Sequence, residues 1–143
     1  MRSFITKSNL ETIEYGIHLA SEFNSGDVVC FHGGLGAGKT QMIKGIVEGM
    51  ECADLATSPT FNIIQEYLTG RLPIYHFDFY RLESTTELVG LGFDDYLFGD
   101  GICLMEWAEK VESFVPAVHW SINIEIIDND SRKITIFSPG KNE

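Results

Sequence analysis

A chain of 143 residues, 44% hydrophobic and 22% charged, fits one soluble globular domain and leaves no room for a low-complexity or disordered class. The opening residues Met1-Arg2-Ser3-Phe4-Ile5-Thr6-Lys7 lack an apolar leader, and no apolar run approaches membrane-spanning length, so the cytosol is the expected compartment. A net charge of −11 disfavours direct gripping of DNA or RNA, and three scattered cysteines (Cys30, Cys52, Cys103) without C-x-x-C spacing disfavour a zinc site.

In chain order, Ser8-Asn9-Leu10-Glu11 is a capping-box pattern, followed at helical spacing by Ile13, Ile17, Leu19, Ala20 and Phe23. Asn24-Ser25-Gly26-Asp27 predicts a turn, and Val28-Val29-Cys30-Phe31 a buried strand. The next residues, Gly33-Gly34-Leu35-Gly36-Ala37-Gly38-Lys39-Thr40, spell G-x-x-x-x-G-K-[ST], the Walker A loop. Its glycines let successive N–H groups face one concavity, Lys39 supplies a point charge for β- and γ-phosphates, and Thr40 offers a hydroxyl to Mg²⁺. A helix expected from Lys39 to about residue 50 puts the positive end of its dipole beneath the anion.

Thr60 to Tyr67 and Pro73 to Asp78 read as two strands around Leu68-Thr69-Gly70-Arg71. A hairpin this short is antiparallel, which makes the sheet mixed. Ser58-Pro59-Thr60-Phe61 is either the start of that strand or a switch-like segment whose Thr60 hydroxyl senses the γ-phosphate. His76 sits between aromatics and reads more readily as a satisfied structural histidine than as a base. Asp78 also lies among aromatics, where an unpaired charge is costly; it either pairs with Arg81 or caps a helix, or it serves a metal. Ser84-Thr85-Thr86-Glu87 is a second capping box, opening a short helix near Leu88 to Leu91.

Ile102-Cys103-Leu104-Met105-Glu106 has the Walker B form, an apolar strand carrying one carboxylate to the sheet edge where ligands gather in open α/β folds. The alternative for Glu106 is a solvated strand end. Trp107 is a core anchor or an aromatic wall beside the site. From Asp78 to Glu112, nine acidic residues face only Arg81 and Lys110, a surface suited to solubility or to a basic partner protein. His119 to Ile127 and Lys133 to Phe137 predict a final strand pair turning at Asp128-Asn129-Asp130. The expected organisation is an α/β P-loop NTPase fold over residues 1–137, its mixed sheet flanked by helices, with a short polar tail at 138–143.

The four motifs Gly33-x-Leu35-Gly36-Ala37-Gly38-Lys39-Thr40, Ser58-Pro59-Thr60-Phe61, Tyr75-His76-Phe77-Asp78-Phe79-Tyr80-Arg81-Leu82 and Cys103-Leu104-Met105-Glu106-Trp107 occur together and in this order. In this the chain resembles the bacterial TsaE (YjeE) ATPases of tRNA threonylcarbamoyladenosine biosynthesis, over roughly residues 8 to 137. Glu87-Leu88, Leu91-Gly92 and Asp95-Tyr96-Leu97 extend the likeness. The resemblance implies an ATPase using ATP and Mg²⁺ that supports a TsaB–TsaD complex in modifying adenosine 37 of tRNA. The ATP cycle would drive or reset that complex, and tRNA would be met only through it. It also implies that Leu35, Gly36, Ala37, Gly38, Lys39 and Thr40 hold the phosphates. Thr40, Glu106 and Asp78 would serve the metal, Lys39, Asp78, Glu106 and Thr60 would act in hydrolysis, and Trp107 would flank the site. Asn9 and Arg132 would lie near the adenine. Three positions depart from the family pattern: Gly34 replaces a usual acidic residue, Gln41 a second threonine, and Ala108 the proline after Glu-Trp.

Two other readings remain. A small-molecule P-loop kinase needs a cationic lid, and the four arginines (Arg2, Arg71, Arg81, Arg132) are dispersed. A nucleotide-gated binding subunit with incidental hydrolysis suits the acidic stretch as well as an ATPase does. Neither D-x-x-G nor N-K-x-D is present, which argues against a GTPase.

Overall fold

The computed structural model describes residues 1–34, 36–53 and 63–139. Its strands form one mixed sheet. They are β1 (Arg2–Thr6), β2 (Val28–His32), β3 (Ile64–Tyr67), β4 (Ile74–Asp78), β5 (Ile102–Glu106), β6 (Trp120–Ile126) and β7 (Arg132–Phe137). The spatial order is β1-β7-β6-β2-β5-β4-β3. The centre is parallel, with β2 between β5 and β6 and β4 beside β5. Both edges are antiparallel: β3 on β4 at one side, β6-β7-β1 at the other. The expected mixed sheet is therefore present, and the strand predicted from Thr60 begins at Ile64, with residues 54–62 outside the described chain.

Period-two alternation assigns each strand residue to one of two cores. Val29, Phe31, Ile102, Leu104, Ile122 and Ile134 point to the face covered by helices α1 (Asn9–Leu19) and α2 (Lys39–Gly49). Val28, Cys30, Phe77, Cys103 and Met105 point to the other, covered by α3 (Thr86–Leu91), α4 (Phe93–Leu97) and a 3-10 segment, Ala108–Phe114. Each fully buried large side chain contributes about 1.5–3 kcal/mol. Burial also pushes the thiols of Cys30 and Cys103 up to about 11 and about 12, so both are protonated core residues.

α1 starts where the capping pattern places it: Ser8 Oγ accepts the Glu11 amide at 3.1 Å, and Glu11 Oε1 accepts the Lys7 amide at 2.8 Å. It crosses α2 at Gly16 and Gly45. A Cβ on Gly16 would lie 2.5 Å from the Met42 carbonyl oxygen, so only glycine permits this approach. The second capping box is half formed. Glu87 Oε2 accepts the Ser84 amide at 3.4 Å, but the Ser84 hydroxyl bonds Thr86 instead of closing the box. Among the described residues, no helix is long and apolar enough to cross a membrane.

Candidate active site

Alternation and register together build the site. Ile74, His76 and Asp78 share one face of β4, and Ile102, Leu104 and Glu106 share the same face of β5, because Ile74 pairs with Ile102 and Asp78 with Glu106. That face belongs to α2, whose N-terminus follows the Walker A loop. The two carboxylates thus stand side by side at the C-terminal ends of parallel strands, where open α/β sheets collect ligands.

The loop between β2 and α2 turns by left-handed glycines, with φ +79° at Gly36 and +109° at Gly38. Gly33 passes so close to β6 that a Cβ there would lie 2.7 Å from the Ile124 carbonyl oxygen. Gly36, Ala37, Gly38, Lys39 and Thr40 line a cavity of about 390 Å³, within the range of small-molecule sites. Asp78, Tyr80, Glu106 and Trp107 line it as well, as do Asn9 and Arg132. The structure thus gathers the predicted site residues into one concavity. Leu35 and Thr60 lie outside the described residues.

The carboxylates differ in setting. Glu106 is 4% exposed, and its Oε2 lies 2.7 Å from His76 Nε2, itself buried. A solvated strand end is excluded for Glu106. His76 is buried as the sequence favoured, but it is only half satisfied: Nε2 meets a carboxylate of the site, and Nδ1 has no hydrogen-bond partner among the described residues. Asp78 is half-buried and accepts the Tyr80 amide on Oδ1 at 3.0 Å, closing a local turn. No ion pair joins it to Arg81 among the described residues. Burial raises the Asp78 pKa above the usual carboxylate range. The Tyr80 amide opposes this, the charge of Glu106 adds to it, and His76 and Lys39 pull it back.

Trp107 forms a wall. Its φ of +59° is left-handed, a conformation that costs a bulky residue about 1–3 kcal/mol and turns the chain sharply after Glu106. Its ring packs on Tyr80 at 4.9 Å, and Lys39 Nζ lies 4.4 Å from its centroid. Lys110 Nζ donates to the Tyr80 carbonyl and braces the same wall. Tyr80 and the His76–Glu106 pair were not assigned to the site from sequence; the parity of His76 and Glu106 on their strands was the available signal.

These donors fit a magnesium nucleotide better than a protein-only metal site. Among the described residues no group of three or more His, Cys, Asp or Glu is arranged to hold an ion. Magnesium characteristically takes one or two carboxylates and completes its shell with phosphate oxygens and water.

The family model for "Threonylcarbamoyl adenosine biosynthesis protein TsaE" matches residues 6–134. The chain belongs to the TsaE family. Among curated TsaE relatives, the Bacillus subtilis protein is 45% identical over 115 residues, covering 80% of this chain and 72% of the relative. That of Treponema pallidum is 34% identical over 132 residues, covering 92% and 97%. Both are described as tRNA threonylcarbamoyladenosine biosynthesis protein TsaE. The crystal structure of YdiB from Bacillus subtilis superposes with a TM-score of 0.80 at 36% identity, covering 97% of this chain and 86% of that one. The fold is that of the P-loop family, as the Walker A loop implied.

Proposed function

We propose that this TsaE-family protein is a Mg²⁺-dependent ATPase that supports threonylcarbamoylation of tRNA adenosine 37. It would do so by driving or resetting a TsaB–TsaD complex and would meet tRNA only through that complex, in the cytoplasm. The observation that carries the reading is the in-register pair Asp78 and Glu106 facing a Walker A loop across one cavity.

In this reading Gly36 to Thr40 cradle the phosphates through backbone N–H groups at the start of α2. Lys39 leaves the Trp107 ring to meet the β- and γ-phosphates. Thr40, Glu106 and Asp78 hold the metal, which when bound neutralises phosphate charge and orders the nucleotide. Glu106 or Asp78 orients the attacking water, and Thr60 belongs to the segment that responds to the γ-phosphate. Trp107 and Tyr80 screen the reacting centre from bulk water, and Asn9 stands on the wall that meets the base. A kinase is less well supported: the arginine on the cavity, Arg132, donates to backbone carbonyls and is not set as a cationic lid.

The test is complementation. In cells depleted of the protein, threonylcarbamoyladenosine in bulk tRNA should fall, and wild type should restore it. Glu106→Ala should bind ATP yet fail to restore it. Full restoration by Glu106→Ala would favour the nucleotide-gated binding subunit, in which occupancy alone suffices.

A further inference from the structure

Arg132 opens β7, and all five of its hydrogen bonds go to backbone carbonyls. Its Nη1 donates to Asp128, Asn129 and Ser131, at 2.8, 3.4 and 2.9 Å, pinning the turn between β6 and β7. Its Nε donates to the Ala37 carbonyl at 2.9 Å, and its Nη2 to the Gly36 carbonyl at 3.3 Å. One planar fork therefore fastens the phosphate loop to the β6–β7 hairpin.

The consequence follows from peptide geometry. In a trans peptide the carbonyl of one residue and the N–H of the next point in opposite directions. Holding the Ala37 oxygen fixes the Gly38 N–H on the side away from the guanidinium. Holding the Gly36 oxygen fixes the Ala37 N–H, which donates to the Gly34 carbonyl at 3.1 Å and closes the loop on itself. A phosphate cradle works only if its N–H groups are aimed before the anion arrives, and glycines at positive φ do not aim themselves. A Cβ added at Gly38 would lie 3.8 Å from Arg132 Nε, so the guanidinium stands close beside the loop there.

We infer that Arg132 is a positioning residue for the phosphate cradle, acting through the carbonyls of Gly36 and Ala37, and not a contact for the adenine. The inference rests on the nucleotide reading above, and its test separates the two.

Binding of ATP and of inorganic tripolyphosphate, each with Mg²⁺, is measured by calorimetry for wild type, Arg132→Ala and Arg132→Lys. Backbone hydrogen exchange across residues 33–40 is measured without ligand. Arg132→Ala should weaken both ligands by the same factor, roughly tenfold for the loss of charge-assisted bonds. It should also speed exchange across the loop, while KM for ATP rises with little change in kcat. Arg132→Lys, with a point charge in place of a fork, should recover only part of the affinity; if Arg132→Ala does not fold, Arg132→Lys carries the same comparison. Loss of ATP affinity with tripolyphosphate unaffected would make Arg132 a base contact and overturn the inference. Unchanged loop exchange would overturn it by leaving a direct phosphate contact, and full rescue by lysine would overturn the role of the fork. If wild type binds neither ligand, the nucleotide reading itself fails.

Discussion

Asp78 and Glu106 are paired neighbours on parallel strands, chemically alike, and the fold treats them in opposite ways. Glu106 is sealed into the sheet and tied to His76 at 2.7 Å, so its carboxylate has one direction to point. Asp78 is half-buried, holds only the Tyr80 amide among the described residues, and is pushed above the ordinary carboxylate range, chiefly by burial. One carboxylate is pinned by a side chain from the adjacent strand; the other accepts a single backbone amide from its own turn on Oδ1 and is less enclosed. On the proposed ATPase reading, a site that orients a metal and a water would gain from one rigid carboxylate and one adjustable one.

The difference can be broken from either side. Glu106→Gln removes the pinned charge, and hydrolysis should fall about 100-fold or more while Mg·ATP still binds, read by single-turnover assay beside calorimetry. Replacing His76 by Phe strips Glu106 of its buried partner. Stability should drop by about 2 kcal/mol in urea unfolding, and hydrolysis by roughly tenfold, because Glu106 loses the buried partner that sets its direction.

Asp78→Asn should lower hydrolysis by less than Glu106→Gln does, and it should move stability the other way. Because the folded pKa of Asp78 is raised, the native state holds this proton more tightly than the unfolded chain. The stability contributed by the protonated form is present below the unfolded pKa and lost as pH rises through the folded one. The asparagine variant, which keeps an acceptor for the Tyr80 amide, should therefore be more stable than the parent at pH 7. That advantage should vanish as the pH falls below the usual carboxylate range, measured by urea unfolding at both values. The smallest effect belongs to the wall. Trp107→Leu gives up the contact with Lys39, a change of about 1 kcal/mol or less in stability, with ATP affinity little altered.

Much of this was legible locally. The Walker A loop, the capping of α1 and the apolar runs of β2 and β5 are written in consecutive residues, and the structure reproduces them. Other features depend on what packs beside them. β1 went unpredicted because Arg2–Thr6 is mostly exposed and becomes a strand only by pairing with β7. The helix Phe93–Leu97 and the 3-10 segment Ala108–Phe114 are too short to show a period. His76 and Glu106 are thirty residues apart, and alternation puts each on a face without saying which strands adjoin. Arg132 shows the same limit: nothing in Ser131-Arg132-Lys133 indicates that its fork reaches back to Gly36 and Ala37.

The most direct test of the contrast is the magnesium dependence of ATP hydrolysis, measured side by side for Asp78→Asn and Glu106→Gln. An adjustable ligand can be partly replaced by water and mass action, whereas a pinned carboxylate that fixes the reacting geometry cannot. Raising Mg²⁺ should therefore restore part of the rate of Asp78→Asn and none of that of Glu106→Gln. Equal recovery in both variants, or recovery in Glu106→Gln alone, would contradict the account.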